Sequence, residues 1–202
     1  MYVINRKRIS LMVICLLLGI FAYSYQGSKM ELEQEVQETT ATPVSGKVIV
    51  VDAGHGIPDE GAESSSGTTE AETNLKIALK LQNILEQSGS TVILTRSDEN
   101  AIYDLDKNTL REKKISDIRN RVKIGNNSSA DIFVSIHLNK IPQQQYWGWQ
   151  CFYNSGNEKS MDLAKKIQSN LNDAIQKENK RVAMKLDTVY IMKHVEIPIS
   201  IV

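Results

Sequence analysis

The stretch Val48–Gly56 reads Val-Ile-Val-Val-Asp-Ala-Gly-His-Gly, an apolar run that ends in a polar, glycine-rich turn. Four consecutive apolar residues before Asp52 predict a strand that is buried on both faces, as in a parallel sheet covered by helices. His55 then lies just beyond the carboxyl end of this strand. The flanking glycines permit a tight turn and a close approach of a ligand to the backbone. Taken alone, such a pattern more often marks a turn or surface histidine than a binding residue.

The segments that follow alternate between strand and helix patterns, which predicts an α/β fold with a mostly parallel central sheet flanked by helices. Apolar residues recur at helical spacing after the first strand and stop at Ser88-Gly89, a usual signal for a helix C-terminus. In chain order, we predict a strand at Lys47–Asp52, a loop at Ile57–Thr69, a helix ending at Ser88-Gly89, a strand at Thr91–Thr95, an exposed polar loop at Ser97–Lys114, a helix at 115–127, a strand at Asp131–His137, a strand at Trp147–Tyr153, a helix at Lys159–Ile175 and strands at Thr188–Met192 and Pro198–Val202.

Composition limits the classes of function. Apolar residues make up 41% of the chain and charged residues 24%, which is typical of a globular protein. Lysine plus arginine equals aspartate plus glutamate at 24 each, so the chain lacks the basic surface that nucleic-acid binding requires. The only two cysteines, Cys15 and Cys151, exclude a disulfide framework.

The N-terminus has the order of an export signal. Basic residues at 6–8 precede the uncharged run Ile9–Tyr25. Residues 1–25 are therefore predicted to be a signal peptide or a membrane anchor, since small residues near the end of the run suit cleavage while its length approaches that of a spanning helix. Residues 26–45 form a polar linker. We expect an exported, extracytoplasmic protein, either membrane-anchored or secreted to the cell wall.

Two further residues, His137 and Glu70, are predicted to lie at the same edge of the sheet as His55. The predicted strand Asp131–His137 also ends in a histidine, whereas a histidine that only packs in the core would lie in mid-strand. Glu70 falls in the first turn of the next helix, where the helix dipole by itself favours a carboxylate. Two imidazoles and one carboxylate are the ligand set of a catalytic zinc site, which keeps a position for water. Zinc lowers the pKa of that water to about 7, so the predicted reaction class is metal-assisted hydrolysis.

Other candidate residues favour ordinary explanations. Trp149, Phe152 and Tyr153 are better explained by packing in an edge strand than by stacking on a sugar. His194 lies between the last two predicted strands and is interpreted as a solvated loop residue.

Four short motifs carry a family resemblance: Asp52-Ala-Gly-His-Gly56, Gly61-Ala62, Glu70 ahead of Asn74-Leu75, and Ser135-Ile-His-Leu-Asn139. The chain from Lys47 to Val202 resembles the zinc-dependent N-acetylmuramoyl-L-alanine amidases of the amidase-3 family. It looks most similar to the germination-specific, CwlD-type members of spore formers. The segments behind that similarity are Arg111-Glu-Lys-Lys, Asp117-Ile-Arg-Asn-Arg-Val122, Ser135-Ile-His-Leu-Asn-Lys-Ile-Pro142 and Gly148-Trp-Gln-Cys-Phe-Tyr153.

The resemblance implies that residues 46–202 are a catalytic domain in which His55, Glu70 and His137 bind zinc. It also implies that the bond cut joins the lactyl group of muramic acid to L-alanine in peptidoglycan. In spore formers, this step precedes formation of muramic-δ-lactam in the cortex, which germination requires. The expected location is then the wall or the forespore intermembrane space, and the sequence leaves open whether an accessory protein or a second copy of the chain completes the site.

One departure from the family pattern concerns the general acid/base. The family carries a catalytic glutamate in a Glu-x-Gly-Phe segment just after the last strand, followed by a helix, and this sequence stops at Val202. Loss of such a group costs about 10²- to 10⁴-fold in rate. Glu196 is no substitute, because it lies at the opposite end of the same strand. We therefore expect a C-terminally truncated amidase that holds zinc but hydrolyses poorly.

Two alternatives remain at this stage. One is a non-catalytic peptidoglycan-binding or regulatory module that keeps the metal-site scaffold, and the missing glutamate favours it. The other is a different metallohydrolase, such as a carboxypeptidase that acts on the stem peptide.

Overall fold

The computed structural model describes residues 15–30, 43–138, 147–175 and 177–202. The chain divides into two compact units at the junction of Pro43 and Val44. In the first unit, residues 15–30 form helix α1. Among the described residues, none of the helices is both long and apolar enough to cross a membrane. Residues 1–14 of the predicted signal or anchor, 31–42 of the predicted linker and 139–142 of the last histidine motif lie outside the described residues.

The second unit contains a six-stranded sheet in the order β2-β1-β3-β6-β4-β5. All neighbouring strands pair in parallel except β4 and β6, which are antiparallel. The α/β class with a mostly parallel sheet is therefore confirmed. The elements are β1 Val48–Ala53, α2 Glu70–Gln87, β2 Thr91–Leu94, α3 Leu110–Asn127, β3 Ile132–Ile136, β4 Phe152–Tyr153, α4 Glu158–Ala174, β5 Met184–Lys185, α5 Tyr190–His194 and β6 Ile199–Ile201.

Strand β1 lies in the interior of the sheet and contributes to the core on both faces. Val50 packs in a cluster with Val122 of α3 and with the apolar residues of α5. Ile49 and Val51 face the other way and pack in a second cluster with α2. This alternation is the two-residue period of a strand, and it explains why every central position of β1 is apolar.

Helix α3 begins at Leu110, so the end of the predicted loop Ser97–Lys114 is wrong by five residues. Thr109 closes a capping box: its hydroxyl oxygen accepts from the backbone N–H of Glu112 at 3.2 Å, and the Glu112 carboxylate accepts from the N–H of Thr109 at 2.9 Å. The first turn of α3 is charged, and its residues do not show the apolar periodicity of a helix. The start of the helix is therefore indicated only by the capping box.

The predicted strand at Thr188–Met192 is wrong, because this part of the chain forms helix α5. Ile191, Met192 and Val195 are all buried, and positions i, i+1 and i+4 share one face of a helix rather than one face of a strand. His194 is thus the last residue of a helix and not a loop residue. It remains exposed, with its ring stacked on Tyr190 at 3.8 Å between centroids.

The predicted strand Trp147–Tyr153 shortens to Phe152–Tyr153. The backbone N–H of Cys151 donates to the side chain of Gln168 on α4 at 2.8 Å, so it is not available to a neighbouring strand. Trp149 lies before the strand, which corrects the edge-strand packing predicted for it, and its indole N–H donates to Asn172 at 2.7 Å. The short strand β5, which the sequence analysis missed, pairs with β4 on the side away from β6, so Phe152 and Tyr153 do not lie in an edge strand as predicted.

Candidate metal centre

His55 lies two residues beyond the end of β1, at the carboxyl edge of the sheet. Its φ of 63° falls in the left-handed region that non-glycine residues seldom adopt. Its carbonyl oxygen accepts a hydrogen bond from Arg121 at 2.6 Å, and its Nδ1 lies 3.3 Å from a carboxylate oxygen of Asp59. The turn is therefore held both at the backbone and at the imidazole ring.

His137 follows β3, the strand that pairs with β1, and so reaches the same edge. The register places Ala53 opposite Ile136, and the N–H of Gly54 donates to the carbonyl of Ile136 at 3.0 Å. A side chain at Gly54 would collide with the imidazole of His137, so the glycine leaves room for the ring. The backbone N–H of His137 donates to Val202 at 3.0 Å, which places the carboxyl end of β6 beside the site.

Glu70 is the first residue of α2, and only 5% of it is exposed. Thr69 caps the helix by accepting from the N–H of Glu72. One Glu70 carboxylate oxygen, Oε1, lies 3.3 Å from Nε2 of His55 and 3.0 Å from Nδ1 of His137. Backbone N–H groups of Leu138 and Ala62 donate to Oε1 and Oε2 at 2.8 and 3.0 Å. The side chain is thus fixed from four directions.

The structure brings together the three residues that the sequence analysis singled out. His55, Glu70 and His137 each offer one ligand atom, and these atoms lie within 4.8 Å of one another. Two imidazole nitrogens and one carboxylate oxygen are a donor set that suits zinc. A Cβ at Gly61 would lie 2.6 Å from Glu70 Oε2 and 2.8 Å from His55 Cδ2, so this cluster also depends on a missing side chain. The residues present therefore fit a catalytic zinc ion.

The charges at the site suit a cation. Burial by itself raises the pKa of Glu70, yet hydrogen bonds from His137, His55 and two backbone N–H groups lower it overall, so the carboxylate is ionised at neutral pH. Burial lowers the pKa of His55, but Glu70 and Asp59 raise it overall. A metal ion must therefore displace a proton from His55 at low pH.

Asp59 and two arginines are residues at this edge that the sequence analysis missed. Asp59 contacts the His55 ring and is paired with Lys114 at 2.9 Å. Arg96 and Arg121 are 4% and 3% exposed and donate to backbone carbonyls of the turn at the end of β1. The available signal was weak: an aspartate four residues after His55, an arginine two residues after a short apolar strand and an arginine in a mostly polar helix.

Glu196 lies away from the site, as the sequence analysis predicted. It is exposed, precedes β6 and donates its backbone N–H to Asn126 on α3 at 3.0 Å. The ligand cluster lies at the opposite end of that strand, beside Val202.

Comparison with known proteins identifies the family. Residues 49–202 match the amidase-3 family model, described as N-acetylmuramoyl-L-alanine amidase. The germination-specific N-acetylmuramoyl-L-alanine amidase of Bacillus subtilis is 32% identical over 179 residues, which cover 89% of this chain and 73% of that protein. The CwlD amidase from Clostridioides difficile, solved in complex with the GerS lipoprotein, is 40% identical with a TM-score of 0.74, covering 77% of this chain and 80% of that one.

A second solved structure, an N-acetylmuramoyl-L-alanine amidase from Clostridium difficile 630, is 27% identical with a TM-score of 0.65 and covers 78% of each chain. The family match extends over most of the chain, and these relatives share its fold. The chain therefore belongs to the amidase-3 family of N-acetylmuramoyl-L-alanine amidases.

Proposed function

We propose that this chain is a zinc-dependent hydrolase that cuts the amide bond between the lactyl group of muramic acid and L-alanine in peptidoglycan. The convergence of His55, Glu70 and His137 within 4.8 Å supports this assignment, because three protein donors leave a coordination position for water. Zinc bound there supplies Lewis acidity, which activates water and polarises the carbonyl of an amide.

The residues around the donors have distinct tasks. Glu70 stays ionised and is held by backbone N–H groups of Ala62 and Leu138, so its carboxylate needs little reorganisation when a cation binds. Asp59 faces Nδ1 of His55 and leaves Nε2 of the same ring directed at Glu70. A carboxylate partner of this kind fixes the ring orientation of a ligating histidine and raises its basicity.

The family resemblance implies a general acid/base glutamate just beyond the last strand, and the position of Val202 bears on where such a residue would lie. The carbonyl of Val202 accepts from the backbone N–H of His137 at 3.0 Å, so a residue attached to Val202 starts beside the ligand cluster. Such a position suits proton transfer to the leaving amine.

The biological setting is proposed to be the spore cortex, where removal of stem peptides prepares muramic-δ-lactam formation and later germination. The 40% identity to a CwlD amidase and the similarity to a germination-specific amidase support this role. The GerS lipoprotein in complex with that relative supports an accessory lipoprotein as partner, with a second copy of the chain as the other candidate. Residues 1–25 would export or anchor the chain for work outside the cytoplasm.

Activity on purified peptidoglycan tests the reaction. The chain is extended beyond Val202 with a Glu-x-Gly-Phe segment, in one version with the glutamate and in one with glutamine, and released fragments are identified by mass spectrometry. We expect peptides with L-alanine at the N-terminus from the glutamate version alone. Equal rates for both versions would place the base elsewhere, whereas shortened stem peptides that remain on the glycan would indicate a carboxypeptidase.

Metal dependence is tested in the glutamate version with His137→Ala and with His194→Ala as a matched control. His194 is the third histidine; it is exposed at the end of α5 and is not one of the three clustered residues. We expect the first variant to lose zinc and activity and the second to keep both. Binding to intact peptidoglycan without turnover in every form would instead support a non-catalytic binding module.

A further inference from the structure

Arg121 is a buried arginine of α3 whose guanidinium group reaches the turn that carries His55. Only 3% of the residue is exposed. Its five N–H donors make five short hydrogen bonds, and Nη1 also makes a sixth, longer one to the hydroxyl of Thr95 at 3.5 Å. Nε donates to Asp117 at 2.8 Å, Nη1 to Asp52 at 2.6 Å and to the carbonyl of Ala53 at 2.7 Å, and Nη2 to the carbonyl of His55 at 2.6 Å and to Asp117 at 3.2 Å.

A second buried arginine holds the same turn from another side. Arg96 donates from Nε to the carbonyl of Ala53 at 2.8 Å and from Nη2 to the carbonyl of Gly54 at 3.0 Å. The two guanidinium groups therefore bind three successive carbonyl oxygens, those of Ala53, Gly54 and His55. Within the part of the chain that the structure describes, Arg121 is the only residue that donates a hydrogen bond to the carbonyl of His55.

The backbone at His55 requires such support. A left-handed conformation is unfavourable for a residue with a side chain, and it persists only where the surroundings over-determine it. Fixing the carbonyl and φ of His55 fixes the direction of its Cβ, and with it the point in space that the imidazole reaches. The same helix also reaches the ring, since Lys114 pairs with Asp59, which faces Nδ1 of His55.

The ion pairs of Arg121 are by themselves weak evidence for a role in stability. A buried guanidinium must be paired with carboxylates, here Asp52 and Asp117, and well-packed apolar residues often stabilise a core as well or better. What apolar residues cannot do is bind a carbonyl oxygen at a defined point.

We propose that Arg121 is a positioning residue for the metal centre, which acts through the His55 carbonyl to aim the imidazole at Glu70 and His137. This inference rests on the proposed zinc site. A planar group with fixed donors sets a geometry that a lysine ammonium, with three rotatable donors, does not reproduce.

The test compares Arg121→Gln and Arg121→Lys with the unaltered chain. Zinc affinity is measured by competition with a chromophoric chelator, and the visible spectrum of the cobalt-substituted protein reports the coordination geometry. We expect Arg121→Gln to bind zinc about 10- to 100-fold more weakly, the range found when groups that orient metal ligands are removed. Arg121→Lys keeps the charge but not the planar arrangement of donors. Compared with Arg121→Gln, we expect it to recover more of the stability than of the zinc affinity.

Two control variants on the same helix separate positioning from stability. Arg119→Gln removes an exposed arginine two residues away and should leave zinc affinity unchanged. Val122→Ala removes methyl groups from the core cluster and should lower the melting temperature without changing zinc affinity. The comparison is made between Val122→Ala and an Arg121 variant that has the same melting temperature. If both lose the same amount of zinc affinity, the proposal is overturned.

The remaining outcomes are also decisive. A folded Arg121→Gln chain with the zinc affinity and cobalt spectrum of the unaltered chain would overturn the positioning role while leaving the zinc site intact. If Arg121→Gln does not fold, Arg121→Lys carries the test with the same criterion. An unaltered chain that binds no zinc would overturn both the metal centre and the role of Arg121.

Discussion

Oε1 of Glu70 lies 3.0 Å from Nδ1 of His137, although 67 residues separate the two along the chain. The carboxylate is buried at the start of α2 and faces the end of β3. This contact joins the start of a helix to the end of a strand and completes the set of three donors. Because Glu70 is the anionic member of that set, its charge favours the binding of a cation.

Replacing Glu70 with glutamine should remove the metal while preserving the fold. Glutamine keeps the shape of the side chain but loses the negative charge and the anionic oxygen that zinc binds. We expect zinc affinity to fall by at least about 10-fold, because even removing a group that only orients a metal ligand has an effect of that size. The measurement is the zinc content per chain after dialysis against a chelator. Glu72→Gln is the matched control, because Glu72 lies in the same helical turn but pairs with Lys76 in solvent. Equal metal content in the two variants would contradict the assignment of Glu70.

Replacing Asp59 with asparagine should weaken metal binding without removing a ligand. Asp59 lies 3.3 Å from Nδ1 of His55, and loss of such a carboxylate typically costs about 10- to 100-fold in metal affinity. Calorimetric zinc titration checks the size of the effect. Glu60→Gln, an exposed neighbour in the same loop, should bind as the unaltered chain does. The same loss in both variants would mean that loop charge, rather than ring orientation, matters.

Replacing Gly61 with alanine should destroy the site for steric reasons. The backbone at Gly61 has φ of 72°, and an added Cβ would lie 2.6 Å from Oε2 of Glu70. Gly67→Ala is a close control, since φ there is 83° but the nearest side-chain atom is 3.9 Å away. Both variants should lose about 1–2 kcal/mol of stability to the left-handed backbone, measured by urea unfolding. Only Gly61→Ala should also lose zinc, and a Gly67→Ala chain without zinc would contradict this explanation.

Cys151 should be protected from alkylation in the folded protein. Burial raises the pKa of its thiol to about 12, so the thiolate is scarce at neutral pH, and the residue is fully enclosed. In the unfolded chain, the thiol ionises near its ordinary pKa of 9.0, so this group contributes stability that declines as pH rises from 9 towards 12. Peptide mapping after iodoacetamide treatment at pH 8 should find little label on Cys151 in the folded protein and full label on it after unfolding. Equal labelling of Cys151 before and after unfolding would contradict the burial.

The ends of β1 and β3 could be predicted from the sequence because the residues that indicate them are adjacent in the chain. The apolar run before His55 and the one before His137 each indicate a buried strand, and two parallel strands present their carboxyl ends at one edge. The start of α3 also has a local signal in the capping box of Thr109 and Glu112, although it lacks apolar periodicity. Where an apolar run is short and mixed with polar residues, as at Ile191 and Met192, helix and strand patterns overlap and the local signal fails.

The sequence by itself thus determined the α/β class, the edge that His55 and His137 share and the position of Glu70 in the first turn of a helix. Only the tertiary structure decided that Glu70 touches both rings, that Asp59 faces His55 and that Arg96 and Arg121 hold the turn between them. The reason is physical: a strand or helix pattern repeats over a few residues, whereas these contacts depend on how α2 and α3 pack on opposite faces of the sheet. Arg121 and His55 lie 66 residues apart, and no local pattern in either segment records that they meet.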